Sequence, residues 1–170
     1  MNNDPVPIVL RADVEVDRPV AQVWTLVADY DRDPEWRAGV TTMAPVPSGP
    51  VTPTTITSEL LRTGGRTYRN GGEVTSLDPG TRFTWRTTPG ADVDADGARS
   101  VEPLGPGRCR VRLEMRVRPR GVQQRLLTPF LRCMLRRGLA ADLRRLRALA
   151  EQDTHSEPSE AASRQRRWST

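Results

Sequence analysis

The stretch Arg108–Ala150, RCRVRLEMRVRPRGVQQRLLTPFLRCMLRRGLAADLRRLRALA, contains the two patterns that decide the fold. Its first part alternates apolar and charged residues, which is typical of a half-buried strand, with one apolar face made of Cys109, Val111, Leu113, Met115 and Val117. Beyond Pro119 the apolar residues recur every three or four positions, as in an amphipathic helix: Leu127, Leu131, Leu135, Leu139, Leu143, Leu146 and Ala150. The helix is expected to begin near Thr128, with Pro129 at its first position, unless a preceding turn is kinked there. Its apolar stripe has to be covered by a sheet.

The N-terminal part of the chain predicts one strand followed by two short helices. Ile8–Val16 alternates in the same way as the last strand. Asp17 is expected to cap a helix with Pro19 in its first turn, and the inner face of that helix consists of Val20, Val23, Trp24 and Val27. A second helical turn is predicted over Asp31–Arg37.

The middle of the chain is rich in Pro, Gly and Thr and predicts short antiparallel strands. Turn signals such as Asp78-Pro79-Gly80 separate them. The predicted strands are Val40–Ala44, Thr54–Arg62, Thr67–Leu77, Thr81–Thr87, Ala98–Pro103 and Arg108–Val117. This order favours an α+β fold, in which a curved antiparallel sheet of about seven strands surrounds the long C-terminal helix. One helix cannot fill such a sheet, so an apolar cavity is expected between them.

Composition predicts a single globular domain over residues 1–152 and a disordered polar tail over 153–170. Neither a membrane span nor a signal peptide is visible, so a cytoplasmic protein is expected. Cys109 and Cys133 lie far apart and are expected to be buried, reduced thiols. The only histidine, His155, falls in the tail, which argues against a metal site and against histidine-assisted nucleophilic catalysis. No metal or cofactor is expected.

The formal charge of +5 comes from 26 basic residues, all of them arginine, which indicates a GC-rich bacterial coding bias. Such a charge is compatible with binding to nucleic acid or to an anionic membrane. No recognition motif accompanies it, and most arginines alternate with apolar residues along strands, so a nucleic-acid partner is not expected. Association with a membrane surface through the arginine-rich C-terminal helix is a weaker alternative.

Four segments of the chain form a recognisable series: ADVEVDRPVAQVWTLVADYDRDPEW (Ala12–Trp36), SLDPGTRFTWR (Ser76–Arg86), VEPLGPGRCRVRLEM (Val101–Met115) and GLAADLRRLRALAE (Gly138–Glu151). Through these segments the chain resembles the SRPBCC superfamily, which includes the START-like and Bet v 1-like proteins, and within it the bacterial polyketide cyclase/dehydrase-type proteins. The resemblance implies a helix-grip fold with a hydrophobic cavity. It also implies a polyketide-like or lipid-like small-molecule partner and a role in bacterial secondary metabolism.

Aromatic polyketide cyclases of this superfamily use an arginine on the strand before the turn that here is Asp78–Gly80. The matching position is Thr75, so the family's arginine is not evident, although Arg69 lies earlier on the same predicted strand. Glu73 shares an alternating face with Arg69 and Thr75. A bulge at Gly71-Gly72 would shift that face.

Arg99 is a second candidate, because it alternates with Val101 on a predicted strand where the family places an apolar residue. An inward guanidinium needs a partner, which could be Glu73, Glu59 or a ligand oxygen. Our hypothesis is that Arg99 and Glu73 face the cavity as an electrostatic group and a proton acceptor. The alternative is that Arg99 extends out of the sheet to solvent.

Aromatic and apolar residues complete the predicted site. Tyr30 and Trp36 follow the first helix, where Tyr30 could donate a hydrogen bond to a ligand carbonyl and Trp36 could stack on the ligand; both could equally be core residues. Tyr68 could point either way. The remaining predicted ligand contacts are Arg69, Thr75, Phe83, Trp85, Val101, Met115, Phe130 and Met134.

Two functions of different class follow from the sequence. One is a cyclase or dehydratase-like enzyme that acts on an apolar, polyketide-type intermediate. The other is a non-catalytic protein that binds or carries a lipid-like molecule. Either is expected to be a monomer or a homodimer.

Overall fold

The computed structural model of the protein describes residues 6–119 and 128–152. The predicted tail, 153–170, and Leu127 lie outside the described residues. The elements are β1 (Ile8–Val16), α1 (Val20–Val27), a 3-10 turn (Tyr30–Arg32), α2 (Asp33–Trp36), β2 (Val40–Val46), β3 (Ile56–Thr63), β4 (Arg66–Asp78), β5 (Arg82–Thr87), β6 (Asp94–Gly105), β7 (Arg108–Arg118) and α3 (Thr128–Gln152).

The strands form one antiparallel sheet in the order β1-β7-β6-β5-β4-β3-β2. The predicted fold is confirmed: seven strands curve around a long C-terminal helix, with two short helical segments after β1. Only the boundaries differ, most of all for β6, which extends four residues further toward the N-terminus than predicted, because Asp94–Gly97 continue the pairing with β7.

The register gives the sheet an inner face, toward the helices, and an outer face. The apolar side chains of β7 point to the inner face, where Met115 lies opposite Leu10 of β1. The arginines of β7 are on the outer face, where they pair with carboxylates of neighbouring strands: Arg110 with Glu15 at 2.8 Å and Arg112 with Glu102 at 2.9 Å. Exposed pairs of this kind are each worth about 0–1 kcal/mol, so they account for the positions of the arginines more than for stability.

The helix α3 lies across β1 and against α2. Its C-terminal half contributes to the main core, in which Leu143 and Leu146 belong to one buried cluster with Val16, Trp36 and Val111. Its N-terminal half packs through Leu131, Leu135 and Leu139 against a second cluster on β1, β6 and β7.

Three local predictions are wrong. Asp17 does not cap α1: the helix begins one residue after Pro19, no side-chain cap bond is present, and the Asp17 amide instead donates to Glu151 on α3. Cys133 is exposed, because it lies on the solvent side of α3, whereas Cys109 is buried as predicted. The third is the possible bulge at Gly71-Gly72.

Gly71 and Gly72 do not form a bulge, since both pair in regular register with β3. A Cβ at Gly71 would lie 2.2 Å from Thr88 Oγ1, and one at Gly72 would lie 2.6 Å from Thr57 Oγ1. The glycines therefore make room for neighbouring threonines. The irregularity of β4 falls between Val74 and Ser76.

Candidate functional site

Arg99 lies on the inner face of β6, directly opposite Phe83 of β5, and is only 5% exposed. Its guanidinium donates to both carboxylate oxygens of Asp33, at 2.6 Å each, and to the carbonyl oxygen of Val27 at 3.2 Å. Asp33 is itself fully buried in α2. Charges are tolerated at this depth only when they are paired and hydrogen-bonded, and a bidentate arginine–carboxylate pair meets that condition.

Three aromatic rings surround the same guanidinium. The Arg99 Cζ atom lies 4.7 Å from the ring centroid of Tyr30, 5.1 Å from that of Trp36 and 5.6 Å from that of Phe83. Cation–π attraction contributes up to about 2 kcal/mol where the cation is desolvated. Arg99 is thus held by Asp33 on one side and by rings on the others.

The charge state of this pair is fixed. Burial alone would raise the pKa of the Asp33 carboxyl, but the adjacent Arg99 and Arg37 outweigh burial and hold that pKa below its usual value. Burial likewise acts to lower the pKa of Arg99, and the Asp33 carboxylate more than reverses it, so the net direction is upward. Both groups therefore stay ionised, and neither exchanges protons near neutral pH.

A chain of polar groups leads from Asp33 toward a more open part of the inner face. Arg37 donates to Asp33 Oδ2 at 2.7 Å and to Glu59 Oε2 at 2.8 Å. Asn70 donates through Nδ2 to Glu59 Oε1 at 3.2 Å, and its Oδ1 accepts from the amide of Val93 at 3.1 Å. Side-chain exposure rises from 0% at Asp33 to 12% at Glu59 and 23% at Arg37. Of the two carboxylates in this polar network, Asp33 and Glu59, Glu59 is therefore the one that a ligand can approach.

The surroundings of Glu59 are apolar and only partly covered. Glu59 on β3 lies opposite Asn70 of β4 and Met43 of β2. The helix α3 makes its principal contacts with β1 and α2, so the inner face of β3–β5 is less covered than that of β1, β6 and β7. We call the inner surface of β3–β5 that α3 does not cover, together with the side of α3 next to it, the inner-face cleft. The half-buried apolar residues on its two sides are Met43, Leu61, Tyr68, Trp85, Met115, Leu131, Met134 and Leu135.

Tyr30 lies beside Arg99, and its ring meets that of Phe83 edge to face at 5.6 Å. Its hydroxyl has no hydrogen-bond partner within residues 6–119 and 128–152. Burial raises the pKa of Tyr30 from 10 to about 12, against an opposing effect of the Arg99 charge. Tyr30 therefore keeps its proton and can act only as a hydrogen-bond donor or acceptor near neutral pH.

This pKa predicts a loss of stability at high pH. Below pH 10 the phenol is neutral in the folded and the unfolded chain, so its full contribution is present. Between the unfolded value and about 12 only the unfolded chain ionises, and the free energy of unfolding should fall by about 2 kcal/mol or more. Denaturant unfolding at pH near 9 and near 11.5 measures this change. In Tyr30→Phe most of this fall in the free energy of unfolding should disappear. In Tyr68→Phe, at the other tyrosine of the chain, the fall should remain. An equal fall in both variants would contradict the assignment to Tyr30.

Arg99 faces inward, but Glu73 is not beside it. Glu73 lies opposite Arg86 on the outer face and pairs with it at 2.5 Å. Val74 takes the inner position of β4, opposite Trp85, and this places Glu73 on the other side of the sheet. The hypothesis that Glu73 faces the cavity with Arg99 is therefore wrong, and the carboxylate that pairs with Arg99 is Asp33.

Arg69 and Thr75 also belong to the outer face. Arg69 is exposed, and its amide donates to the Asp92 carboxylate at 2.7 Å. Thr75 sits at the irregularity of β4, where its hydroxyl and that of Ser76 both reach Thr84 at 2.7 Å. Both side chains therefore point away from the cleft: Arg69 lies on the same face as Glu73, and Thr75 and Ser76 turn outward together at the irregularity.

The other predicted residues fall into three groups. Trp36, Phe83 and Val101 are fully buried, and the first two contact the Arg99 guanidinium. Tyr68, Trp85, Met115 and Met134 are half-buried around the cleft. Phe130 is 71% exposed on α3 and points to solvent.

Sequence reasoning missed Asp33, Arg37 and Asn70, and named Glu59 only as an alternative partner. A usable signal was present in DRDPEWR, because Asp33 and Arg37 are four residues apart and so meet on one side of a helical turn. Asn70 gave no comparable signal, since its role depends on cross-strand register.

The sequence profile of the family described as "polyketide cyclase / dehydrase and lipid transport" matches residues 7–151. The chain belongs to this family. Several solved structures have the same fold as this family member, although their sequences are only distantly similar to it. No curated protein is similar enough in sequence to count as a relative.

Three of those structures illustrate the range. A protein from Thermus thermophilus has a TM-score of 0.74 at 17% identity, covering 86% of this chain and 99% of its own. The Zhui aromatase/cyclase from a Streptomyces species has a TM-score of 0.72 at 17% identity, covering 87% of this chain and 96% of its own. Norcoclaurine synthase from Thalictrum flavum has a TM-score of 0.66 at 16% identity, covering 88% and 98%. At these identities the likeness establishes the fold that this family member shares with them.

In the part of the chain that the structure describes, no helix of this family member combines the length and the apolar character needed to span a bilayer.

Proposed function

We propose that the protein binds an apolar, carbonyl-bearing small molecule in the inner-face cleft and catalyses its cyclisation or dehydration. The observation that carries the proposal is the position of Glu59, a carboxylate held by Arg37 and Asn70 at the edge of a half-covered apolar surface. An apolar pocket with a few convergent polar groups is the usual form of a small-molecule site. Membership of a family described by cyclase, dehydrase and lipid-transport activities supports the same assignment.

Glu59 is the proposed catalytic base. Its carboxylate removes a proton from the carbon between two carbonyl groups, and the resulting enolate carbon attacks a second carbonyl of the same chain to form a ring. The proton then passes to the alkoxide oxygen so formed. Loss of that hydroxyl with a neighbouring hydrogen, as water, gives the dehydrated product.

Two other residues support this step. The Tyr30 hydroxyl, which keeps its proton and has no partner among the described residues, is available to donate to a substrate carbonyl oxygen. Arg37 is a positioning residue, since it bridges Glu59 to the buried Asp33 and so fixes the orientation of the Glu59 carboxylate. Arg99 and Asp33 are assigned no contact with the ligand, because their hydrogen-bonding groups are already paired with each other.

The second candidate is a non-catalytic carrier of the same class of ligand. One observation favours it: both oxygens of Glu59 already accept hydrogen bonds, from Arg37 and from Asn70. Lone pairs engaged in these hydrogen bonds are less available to take a proton from a ligand, and a carrier needs no base.

Proton exchange separates the two functions without knowledge of the natural substrate. The probe is a simple β-ketothioester in deuterated buffer, and its exchange at the carbon between the carbonyls is followed by nuclear magnetic resonance. Glu59→Gln should reduce the protein-dependent exchange rate by about 100-fold or more, as expected for loss of a general base. Glu73→Gln is the matched control, because it removes a carboxylate from the outer face and should leave the rate unchanged.

Two results would contradict parts of the proposal. Exchange no faster than in buffer, together with a co-purified apolar ligand seen by native mass spectrometry, supports the carrier and excludes the enzyme. Equal loss of exchange in both variants would exclude Glu59 as the base.

A further inference from the structure

One side of α3 combines an exposed aromatic ring with a row of arginines. Phe130, Arg137 and Arg144 are seven residues apart, which is close to two helical turns, so they lie along one side of the helix. Arg136 adjoins Arg137 on this solvent side, and all four residues are exposed. We call Phe130, Arg136, Arg137 and Arg144 the α3 basic face.

The charge of the protein is concentrated on this helix. α3 contains six arginines and two carboxylates, a formal charge of +4, while the whole chain carries +5. Two of those arginines are neutralised locally, Arg145 by Asp142 and Arg147 by Glu151. The arginines of the basic face have no carboxylate within ion-pair distance in the ranges 6–119 and 128–152.

The outer face of the sheet shows the opposite arrangement. Its arginines sit opposite carboxylates, for example Arg112 beside Glu102, Arg116 beside Asp96 and Arg118 beside Asp94. These charges largely cancel beyond a Debye length of about 8 Å at physiological salt. Among the described residues, the α3 basic face therefore attracts distant anions, as do the exposed Arg62, Arg66 and Arg69 of β3 and β4, but only the α3 face combines its arginines with an exposed aromatic ring.

A groove adjoins the basic face where α3 passes β1. It has a volume of about 350 Å³ and is lined by Arg137, Arg144, Ala140, Leu143, Val14 and Asp13. Asp13, the only carboxylate of this lining, lies 3.7 Å from Arg110 of β7. Two guanidiniums without carboxylate partners thus flank a recess that offers room for a phosphate group.

We propose that the α3 basic face docks on the surface of an anionic lipid bilayer. The arginines contact lipid phosphates, with one phosphate in the groove between Arg137 and Arg144. Phe130 enters the interface between headgroups and acyl chains, where aromatic rings are favoured beside basic residues. The exposed Phe130 favours a bilayer as the partner over a nucleic acid or an acidic protein surface, because a bilayer can bury that ring and bind the arginines at once.

The experiment is co-sedimentation of the full chain with vesicles. Vesicles of phosphatidylcholine mixed with phosphatidylglycerol should bind the protein, pure phosphatidylcholine should not, and binding should weaken as salt rises. Each arginine near an anionic surface strengthens binding about fivefold, so a variant with Arg136, Arg137 and Arg144 changed to Gln should bind about 100-fold more weakly. Phe130→Ser should weaken the binding that persists at raised salt.

The matched control changes Arg112, Arg116 and Arg118 to Gln, which lowers the net charge equally on the other side of the molecule. This control variant should bind vesicles with nearly the same affinity as the unmodified protein. Circular dichroism of each variant checks that the fold is intact. The proposal is overturned if the two triple variants lose binding equally, since net charge alone would then explain it. It is also overturned if the protein prefers duplex DNA at equal phosphate concentration. The exchange assay at Glu59 is a separate readout, so either proposal can fail alone.

Discussion

Replacing Arg99 with methionine is expected to lower the free energy of unfolding by about 3 kcal/mol, the lower end of the range for breaking a buried ion pair. Methionine fills a similar volume among Tyr30, Trp36 and Phe83, so the loss should come from charge and not from a cavity. It leaves Asp33 fully buried without its bidentate partner. The remaining contact of Asp33 with Arg37, at 2.7 Å, is the reason that the expected loss is not larger. Urea unfolding measures the change.

Arg86→Met provides the matched control, because Arg86 is 65% exposed and pairs with Glu73 on the outer face. Its cost should stay below about 1 kcal/mol. Combining Arg99→Met with Asp33→Leu should recover at least half of the loss, since no unpaired carboxylate then remains. A single Arg99→Met variant as stable as Arg86→Met would refute the role of the buried pair.

Replacing Gly97 with alanine is expected to cost about 3 kcal/mol, at the upper end for overpacking. A Cβ at this position would lie 2.2 Å from the Glu114 carbonyl oxygen and 2.9 Å from Cζ2 of Trp85. The first of these atoms belongs to the backbone of β7 and cannot move without disturbing the sheet. The second belongs to a ring at the inner-face cleft, so the variant should also bind an apolar ligand less well.

Gly105→Ala is the control for this change, because nothing lies within 4 Å of a Cβ there and its backbone is not in the left-handed region. It should change the free energy of unfolding by less than about 0.5 kcal/mol. Equal unfolding midpoints for the two alanine variants would show that β6 and β7 can separate without cost at Gly97.

The fold could be predicted because it depends on periodicity, which is a local property of the sequence. The alternation in Arg108–Arg118 and the three-to-four spacing in α3 each identify an element and the face that it buries. The order of the elements then leaves few ways to cover the helix. Asp17 was mispredicted because capping depends on the backbone geometry at Pro19, which composition does not reveal.

The candidate site could be predicted only in part, because it depends on which residues of distant segments meet. The alternation of Arg99 with Val101 made an inward side chain one of two possibilities, and the structure shows that it faces inward. Its partner could not be predicted, since Asp33 precedes it by 66 residues and reaches it only after α2 folds against the sheet. Glu73 and Thr75 share a face with Arg69, as their alternation predicted, but that face is the outer one, and alternation alone does not decide which face of a strand is inner.

The pairing of β1 with β7 has a consequence for how the chain folds. Val16 lies beside Cys109 and Ile8 beside Val117, so the first strand pairs only with the last strand of the described sheet, about 100 residues later. Contacts between such distant segments close large loops, and proteins dominated by them fold in milliseconds to seconds, not microseconds. Until β7 is made, the edge of β1 has no partner strand and can add to other chains. Slow refolding with aggregation at raised concentration is therefore expected, and a circular permutant in which β7, α3 and β1 follow one another in the chain should refold faster.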